Sequence, residues 1–446
     1  MSDPAPATPS IPHRTQVAVV GAGLAGLVAA RTLARAGRDV LLFDPLGEPG
    51  GRVRTETVDG FRLDAGFQVL LTGYPAVQEE LDLAALKLHA FEPGCIVVRD
   101  GKLYSLPDAL RMHGRFMEAL LFPLASLGDK LRTATLRNRL RRADPASLFR
   151  GPTRMAAAWL RDQGFSERFL SVFWIPFFSA VFLDPPLEVN SGLFQFVFRS
   201  IACGDITLPE QGIGAVPQQI AAGLPPGAWR PGTHVRALRM EEGRVRGLTV
   251  ASTSAPDVPV DIEADTVILA CGPEEARRLT GFNLPFLEPL GVSVVYFSTP
   301  GAVTDEARIF LNGGSGGPGH HAVFLSNICP TYAPEGEHLV EVTVLGTPEG
   351  TDEALAERVR RQMQVWFREG RVEEWRWLRT MKIPMAQFRQ PPGLAEKLPG
   401  PRTEIGGLFL AGDYTRHSSV QGAMESGQIA AAALLEERTR AGTTGS

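Results

Sequence analysis

The sequence predicts an α/β protein in which a Rossmann-like dinucleotide-binding domain carries an inserted second domain of α+β type. Three observations predict it. A glycine-rich turn joins an apolar strand to an alanine-rich helix near the N-terminus. A second apolar strand ends in Gly-Asp ahead of another small-residue helix near the C-terminus. The length, 446 residues, exceeds what one hydrophobic core ordinarily serves, so two domains are expected.

The first element is the strand Gln16–Val20, which turns through Gly21-Ala-Gly23-Leu24-Ala25-Gly26 into a helix over Leu24–Ala36. The first glycine of such a turn allows its tightness, the second lets backbone approach a pyrophosphate, and the third lets helix and strand pack closely. The helix start offers N–H groups and partial positive charge to phosphate. Gly37 closes the helix, Asp39–Phe43 reads as a second buried strand, and Asp44 stands at its end. An acid about 20 residues past the glycines is placed to accept hydrogen bonds from an adenosine ribose. The alternative is a glycine-rich turn that holds no ligand.

Next comes Gly50-Gly51-Arg52, where the glycine pair lets a second backbone segment press on a cofactor and the arginine can face phosphate. Asp64-Ala65-Gly66-Phe67-Gln68 follows. In the middle of the chain Gln211-Gly212-Ile213-Gly214 leads a helix into strand Thr233–Leu238. An acidic turn, strand Arg244–Val250 and the run Asp265–Cys271 complete that block. Near the C-terminus strand Leu408–Ala411 ends in Gly412-Asp413, and Ser419-Val420-Gln421-Gly422-Ala423 opens a helix to about Glu437. A helix start in that setting stabilises negative charge by up to ~2 kcal/mol, which suits the N1/C2 edge of a reduced flavin.

Together these motifs resemble the flavin-containing amine oxidase superfamily, which includes monoamine oxidases, protoporphyrinogen oxidases, phytoene desaturases and carotenoid isomerases. The resemblance implies an FAD-binding domain of glutathione-reductase type and an FAD-dependent oxidoreductase. It assigns the cofactor to Gly21, Gly23, Leu24, Ala25, Gly26, Asp44, Gly50, Gly51, Arg52, Gly66, Phe67 and Gln68. Val235 would contact adenine through its backbone, and Ala270, Cys271 and Gly272 would pass close by. Gly412, Asp413, Val420, Gln421, Gly422 and Ala423 would take the flavin end. No cysteine or histidine sits where covalent attachment is implied, so FAD is expected to be non-covalent.

The flavin motifs occupy residues 13–71, 206–283 and 396–446, which assigns residues 72–205 and 284–395 to a substrate domain. The first insertion reads as helical. The second reads as an antiparallel sheet with strands at Gly291–Phe297, Arg308–Leu311, His321–Leu325 and His338–Leu345, followed by a helix over Glu353–Glu369. Residues 1–12 and 441–446 read as disordered tails.

A formal net charge of −4 gives no reason to expect nucleic acid. Four scattered cysteines read as reduced thiols of a cytoplasmic protein, and eight histidines without HExxH predict no metal. The apolar run Phe169–Phe182 is too short to span a bilayer and contains Pro176. Leu106–Leu148 mixes apolar stretches with eight arginines and lysines, which suits either a solvated outer face or peripheral contact with an anionic membrane. Phenylalanines 165, 169, 173 and 177 fall on one helical stripe, followed by 178, 182, 194, 196 and 198. They form either a packed core or a wall for a large apolar substrate, with Phe173, Phe177, Phe178 and Phe196 as the candidate lining.

A flavin needs little help beyond placing a C–H bond at its N5 and excluding water. Lys382, His417 and Tyr414 are the candidate assisting side chains. Where amine oxidases of the superfamily carry a second aromatic that clamps the amine, this chain has Ser419. Gly412-Asp413-Tyr414-Thr415 resembles the plant-type phytoene desaturases instead. The expected substrate is a bulky, hydrophobic conjugated molecule, carotenoid-like, for desaturation or isomerisation. A porphyrinogen or an amine is the alternative, and a non-catalytic hydrophobic carrier on the same fold a more distant one. The electron acceptor is not legible.

Overall fold

The computed structural model describes residues 12–443 except 152 and 315, with backbone alone over 438–443. The expected N-terminal tail, apart from Pro12, and residues 444–446 lie outside the described residues. The chain divides into two compact units, one of Met1–Gly51, Pro217–Pro285 and Leu398–Ser446, the other of Arg52–Val216 and Phe286–Lys397.

The first unit is built on a parallel core. Strand Arg14–Val20 lies between Val40–Phe43 and the C-terminal half of the long strand Ala255–Leu269, and Leu408–Leu410 pairs on the far side of that strand. Trp229–Arg230 extends the sheet beyond Val40–Phe43. The N-terminal half of Ala255–Leu269 pairs antiparallel with Arg244–Ser252, which pairs in turn with Thr233–Glu241. Central strands buried on both faces read as continuous apolar runs, and Val40–Phe43 is buried at every position. Helix Leu24–Arg35 buries nine of its twelve residues, which its alanines and glycine permit. It packs against helix Val420–Thr443 at close range, and a β-carbon on Gly427 would meet the Ala25 carbonyl oxygen at 2.3 Å.

The second unit holds a seven-stranded sheet in the order Arg376–Phe388, Pro289–Thr299, His338–Leu345, His321–Phe324, Ile309–Asn312, Gly94–Arg99, Lys102–Pro107. Its pairs are antiparallel except Ile309–Asn312 with Gly94–Arg99. The expected strands of the second insertion are all present, and the expected helix runs over Asp352–Trp366. That helix covers one face, where Leu355, Val359, Met363 and Trp366 pack on Val295, Phe297, Val340 and Val342. The first insertion is not wholly helical. Gly94–Arg99 and Lys102–Pro107 form a hairpin that completes this sheet, turned through Asp100 and Gly101 at φ 51° and 69°. That is a two-residue turn of positive φ, for which Asp-Gly is a favoured pair. Strands Thr55–Val58, Phe61–Asp64 and Ile206–Pro209, within blocks expected to serve the cofactor, group with this second unit.

Helices Leu127–Arg142, Ala156–Asp162, Ile175–Phe182 and Ser191–Cys203 form its helical part. The phenylalanine stripe passes through a wider, five-residue turn at Leu170–Trp174, with Phe169 stacked on Phe173 at 5.2 Å and Phe173 next to Phe177 at 5.6 Å. Among the described residues no helix is long and apolar enough to cross a membrane.

Candidate functional site

In the first unit four parallel strands end in one row. Val20 is in register with Phe43 on one side and with Leu269 on the other, and Leu269 is in register with Leu410. The hydrogen bonds continue past the row, from Gly21 N–H to Phe43 O at 2.8 Å, Ala270 N–H to Val20 O at 2.8 Å and Ala411 N–H to Leu269 O at 2.9 Å. Register alone therefore brings Gly21–Gly26, Asp44, Ala270–Gly272 and Gly412-Asp413 to one carboxyl edge. Ligands of open α/β sheets bind at such edges.

Two of the turn's glycines, Gly21 and Gly26, are there because nothing larger fits. Gly21 has φ 103°, and a β-carbon on it would stand 2.8 Å from Ala270 O. Gly26 is tighter still, 1.8 Å from Gly21 O by the same construction. Gly23 differs, since a β-carbon there would meet nothing within 4 Å. It borders open space at the start of helix Leu24–Arg35, which has no side-chain cap on its N-terminal N–H groups. Gly50 closes against this turn, donating its N–H to Ala22 O at 2.7 Å, and Gly51 lies beside Gly23. An uncapped, partly positive helix start facing space kept clear by glycine is the geometry a pyrophosphate needs.

Asp44 accepts from Ala22 N–H at 2.7 Å through one oxygen and from Leu46 N–H at 2.8 Å through the other. Each oxygen keeps a second acceptor site for a hydroxyl. Asp44 O also accepts from Thr233 N–H at 2.8 Å, which anchors the strand carrying Val235 next to the acid. The Val235 carbonyl accepts from Arg278 at 2.8 Å. Cys271 is half-buried, and burial pushes its thiol up to about 12, so it stays protonated.

At the other end of the row Gly412 sits at φ 136°, where a β-carbon would strike the Tyr414 ring at 2.5 Å. Its N–H donates to Ser426 Oγ at 2.9 Å, a partner absent from the sequence reading. Asp413 is buried and accepts from Ser418 Oγ at 3.1 Å. Ser419 is the cap of helix Val420–Thr443, with Gly422 N–H donating to its Oγ at 2.9 Å and His417 Nδ1 at 3.0 Å from the same oxygen. Gly422 leaves room for His417, since a β-carbon there would lie 2.0 Å from His417 O. Burial brings the His417 imidazole down to about 4 against the pull of Glu425, so the ring is neutral at physiological pH. Tyr414 is 2% exposed, and its Oη has no hydrogen-bond partner among the described residues. An orphaned buried hydroxyl at this edge fits a site whose polar ligand is still to be added.

The second unit holds the remaining residues singled out in the sequence. Arg52 donates to Ala386 O at 3.0 Å, and Gln68 Nε2 donates to Arg52 O at 2.8 Å and Ala65 O at 2.7 Å. Gly66 has φ 100° and faces Ile383 and Val292. Phe67 meets the buried His321 ring edge-on at 4.7 Å. Lys382 lies in register with Ser293, while its neighbour Ile383 faces Gly66 from the other side of the sheet. The Lys382 ammonium is held by Asp352 at 3.1 Å and Gly350 O at 2.8 Å, an ion pair away from Gly66. Phe178 and Phe196 are interior, 1% and 4% exposed, against Phe194 and Tyr74 respectively; Phe173 and Phe177 are half-buried.

Asp64 is a hub that sequence reading missed. Its carboxylate accepts from Thr55 Oγ1 at 2.5 Å, Ile213 N–H at 3.0 Å and Tyr332 Oη at 2.8 Å, while its carbonyl accepts from Tyr296 Oη at 2.8 Å. Burial raises it to about 6 against those hydrogen bonds. The tyrosines lie more than 230 positions away, so no local pattern announces them.

Comparison with known proteins agrees with this geometry. The family model described as flavin containing amine oxidoreductase matches residues 24–435. A probable zeta-carotene desaturase of Synechococcus elongatus is 26% identical, covering 94% of this chain and 98% of the relative. A hydroxysqualene dehydroxylase of Rhodopseudomonas palustris is also 26% identical, over 94% of this chain and 98% of its own. Among solved structures, an oxidoreductase from Methanosarcina mazei superposes with a TM-score of 0.71 at 19% identity, covering 94% of this chain and all of that one, which speaks to fold. A match that begins at Leu24 and ends in the helix capped by Ser419 takes in Gly26, Asp44, Ala270–Gly272 and Gly412-Asp413, and on it the chain belongs to the flavin-containing amine oxidoreductases and is an FAD-dependent oxidoreductase.

Proposed function

We propose that FAD lies along the carboxyl edge of the first unit's sheet. Its pyrophosphate rests over Gly23 and the start of helix Leu24–Arg35, its adenosine ribose on Asp44, its adenine beside the Val235 main chain. Asp413 and the Ser419-capped helix serve the flavin end, and the Tyr414 hydroxyl points to the same ligand. The attachment is non-covalent. When bound, the flavin supplies the two-electron chemistry at its N5. The protein's part is to bind, orient and keep water out. His417, neutral and tied to Ser419, braces the helix start instead of carrying a proton, and Lys382 belongs to the sheet's ion pairs.

The substrate in this reading is a large, apolar, conjugated molecule, dehydrogenated as a carotenoid desaturase would do it. The observation that carries it is similarity to a zeta-carotene desaturase along 94% of the chain, both insertions included. The half-buried Phe173 and Phe177 rings give the helical part apolar surface beyond its core. Ser419 spends its hydroxyl capping a helix, so the position offers no aromatic wall for an amine. Peripheral association with a membrane, where such a substrate dissolves, belongs to the same reading. The test is to supply an acyclic carotene in detergent micelles to the FAD-loaded protein with an electron acceptor and follow the absorbance. A red shift from added conjugated double bonds is expected; peroxide release with amines and an unchanged polyene spectrum would overturn it.

A further inference from the structure

The second unit exposes an apolar patch of unusual density. Seven of the fifteen large hydrophobic side chains exposed among the described residues fall between residues 110 and 131. Phe116, Met117 and Leu121 are 53%, 59% and 71% exposed on or beside the short helix Phe116–Leu121, and Leu127 and Leu131 are each 62% exposed on the next. The two helices are fixed to each other. Lys130 donates to Leu120 O at 2.5 Å and Phe122 O at 2.9 Å, and Ser126 and Asp129 form a reciprocal capping box. The patch is therefore a built feature of the fold. Folding leaves it in water, which calls for a partner.

The charge beside it says which partner. Residues 110–142 hold eight lysines and arginines against two acids, in a chain of net charge −4. Several of these bases are spent internally, Arg111 on Asp205, Arg115 on Glu118 and Arg137 on Asp108. Arg132, Arg139, Arg141 and Arg142 are exposed and make no ion pair among the described residues. Steps of three and four carry the stripe of Leu127 and Leu131 on to Arg142, while Arg132 and Arg139, seven apart, share the adjoining face and Arg141 flanks the stripe on its other side. A groove of about 380 Å³ opens there between Leu131, Arg132, Thr135, Arg139 and Phe165. Exposed leucines, Phe116 and Met117 beside exposed guanidiniums give this surface complements for both the acyl chains and the phosphates of an anionic bilayer.

We propose that helices Phe116–Leu121 and Leu127–Arg142 dock this protein on an anionic bilayer, with a lipid phosphate taken between Arg132 and Arg139. The inference deepens the reading of a membrane-dissolved substrate and rests on it for its purpose, but its test does not depend on turnover. The FAD-loaded full chain is floated with phosphatidylcholine vesicles and with mixed phosphatidylcholine–phosphatidylglycerol vesicles, at low and high salt. Wild type is expected to float with the mixed vesicles, less so at high salt. Leu121→Asp with Leu127→Asp should cut binding at least about tenfold. Arg132→Glu with Arg142→Glu should remove the preference for the anionic lipid, at about fivefold per arginine. Bound-flavin absorbance, unchanged in both variants, shows that folding is intact. Wild type left in the soluble fraction, or variants that float as it does, would overturn the proposal. So would self-association without vesicles that the aspartates abolish, because the patch would then serve a second copy. Carotene turnover in micelles, where no bilayer exists, tests the substrate reading separately.

Discussion

Gly26 stands against the backbone of Gly21 so closely that a β-carbon on it would fall 1.8 Å from the Gly21 carbonyl oxygen. Gly23, between them in sequence, borders space with no atom within 4 Å of its would-be β-carbon. Gly26 serves packing, Gly23 is proposed to serve a ligand, and substitution separates the two. Gly26→Ala should destabilise even the apoprotein, by about 1–3 kcal/mol or more, because backbone cannot yield as a side chain does. Gly23→Ala should leave the apoprotein melting temperature nearly unchanged and weaken FAD binding about tenfold or more, roughly 1.4 kcal/mol. Apoprotein melting and FAD titration of both variants check the contrast; equal effects of both on apoprotein stability would contradict it.

Tyr414 makes a second contrast between empty and loaded protein. A buried hydroxyl without a partner costs about 1–3 kcal/mol in the folded state. Tyr414→Phe is therefore expected to leave the apoprotein as stable as wild type or more so, and to weaken FAD binding about tenfold. A Phe variant that binds FAD as wild type does would remove Tyr414 from the cofactor's surroundings.

Ser419 caps helix Val420–Thr443 through Gly422 N–H, and Ser419→Ala should cost about 1 kcal/mol. Ser419→Asp, which can cap, should restore most of it. Thermal melts of the two variants decide whether the serine acts here through the helix.

Stability should also fall as pH rises through neutrality because of Glu341. This glutamate is buried in the second unit's sheet, accepts from Thr343 Oγ1 at 2.7 Å, and is raised by burial to about 8. A folded-state value above the unfolded one means its contribution is fully present below about pH 4.5 and is lost as pH rises through about 8. Asp64, raised to about 6, completes its own loss at lower pH, which leaves the window from about 6.5 to 9 to Glu341. Glu341→Gln keeps an acceptor for Thr343 and cannot ionise. Wild type should lose about 2 kcal/mol of stability across that window, most of it below about pH 8, and the variant should lose far less. Parallel melting curves at every pH would contradict this.

What the sequence revealed and what it hid divide along physical lines. The glycine turn, Asp44, Ala270–Gly272 and Gly412-Asp413 each follow an apolar strand directly, so local pattern located all four, and parallel register then aligned them. The hairpin Gly94–Pro107 has a local signal in Asp100-Gly101, but its place at the edge of a sheet built mainly from residues 289–388 is a tertiary fact. Asp64's bonds to Tyr296 and Tyr332, Ser426 beneath Gly412, and the Lys382–Asp352 pair are tertiary facts with no short-range signature. The phenylalanine run was visible at once, yet which rings are core could be read only from packing. Phe178 is interior and Phe177, its neighbour, is not.

The central claim is a flavin that takes electrons from a large apolar conjugated donor, and anaerobic visible spectroscopy tests it most directly. The FAD-loaded protein is titrated separately with an acyclic carotene, a porphyrinogen and a simple amine while the oxidised flavin band is followed. Bleaching by the carotene and none by the amine is expected. Bleaching by the amine with no response to the carotene would contradict it.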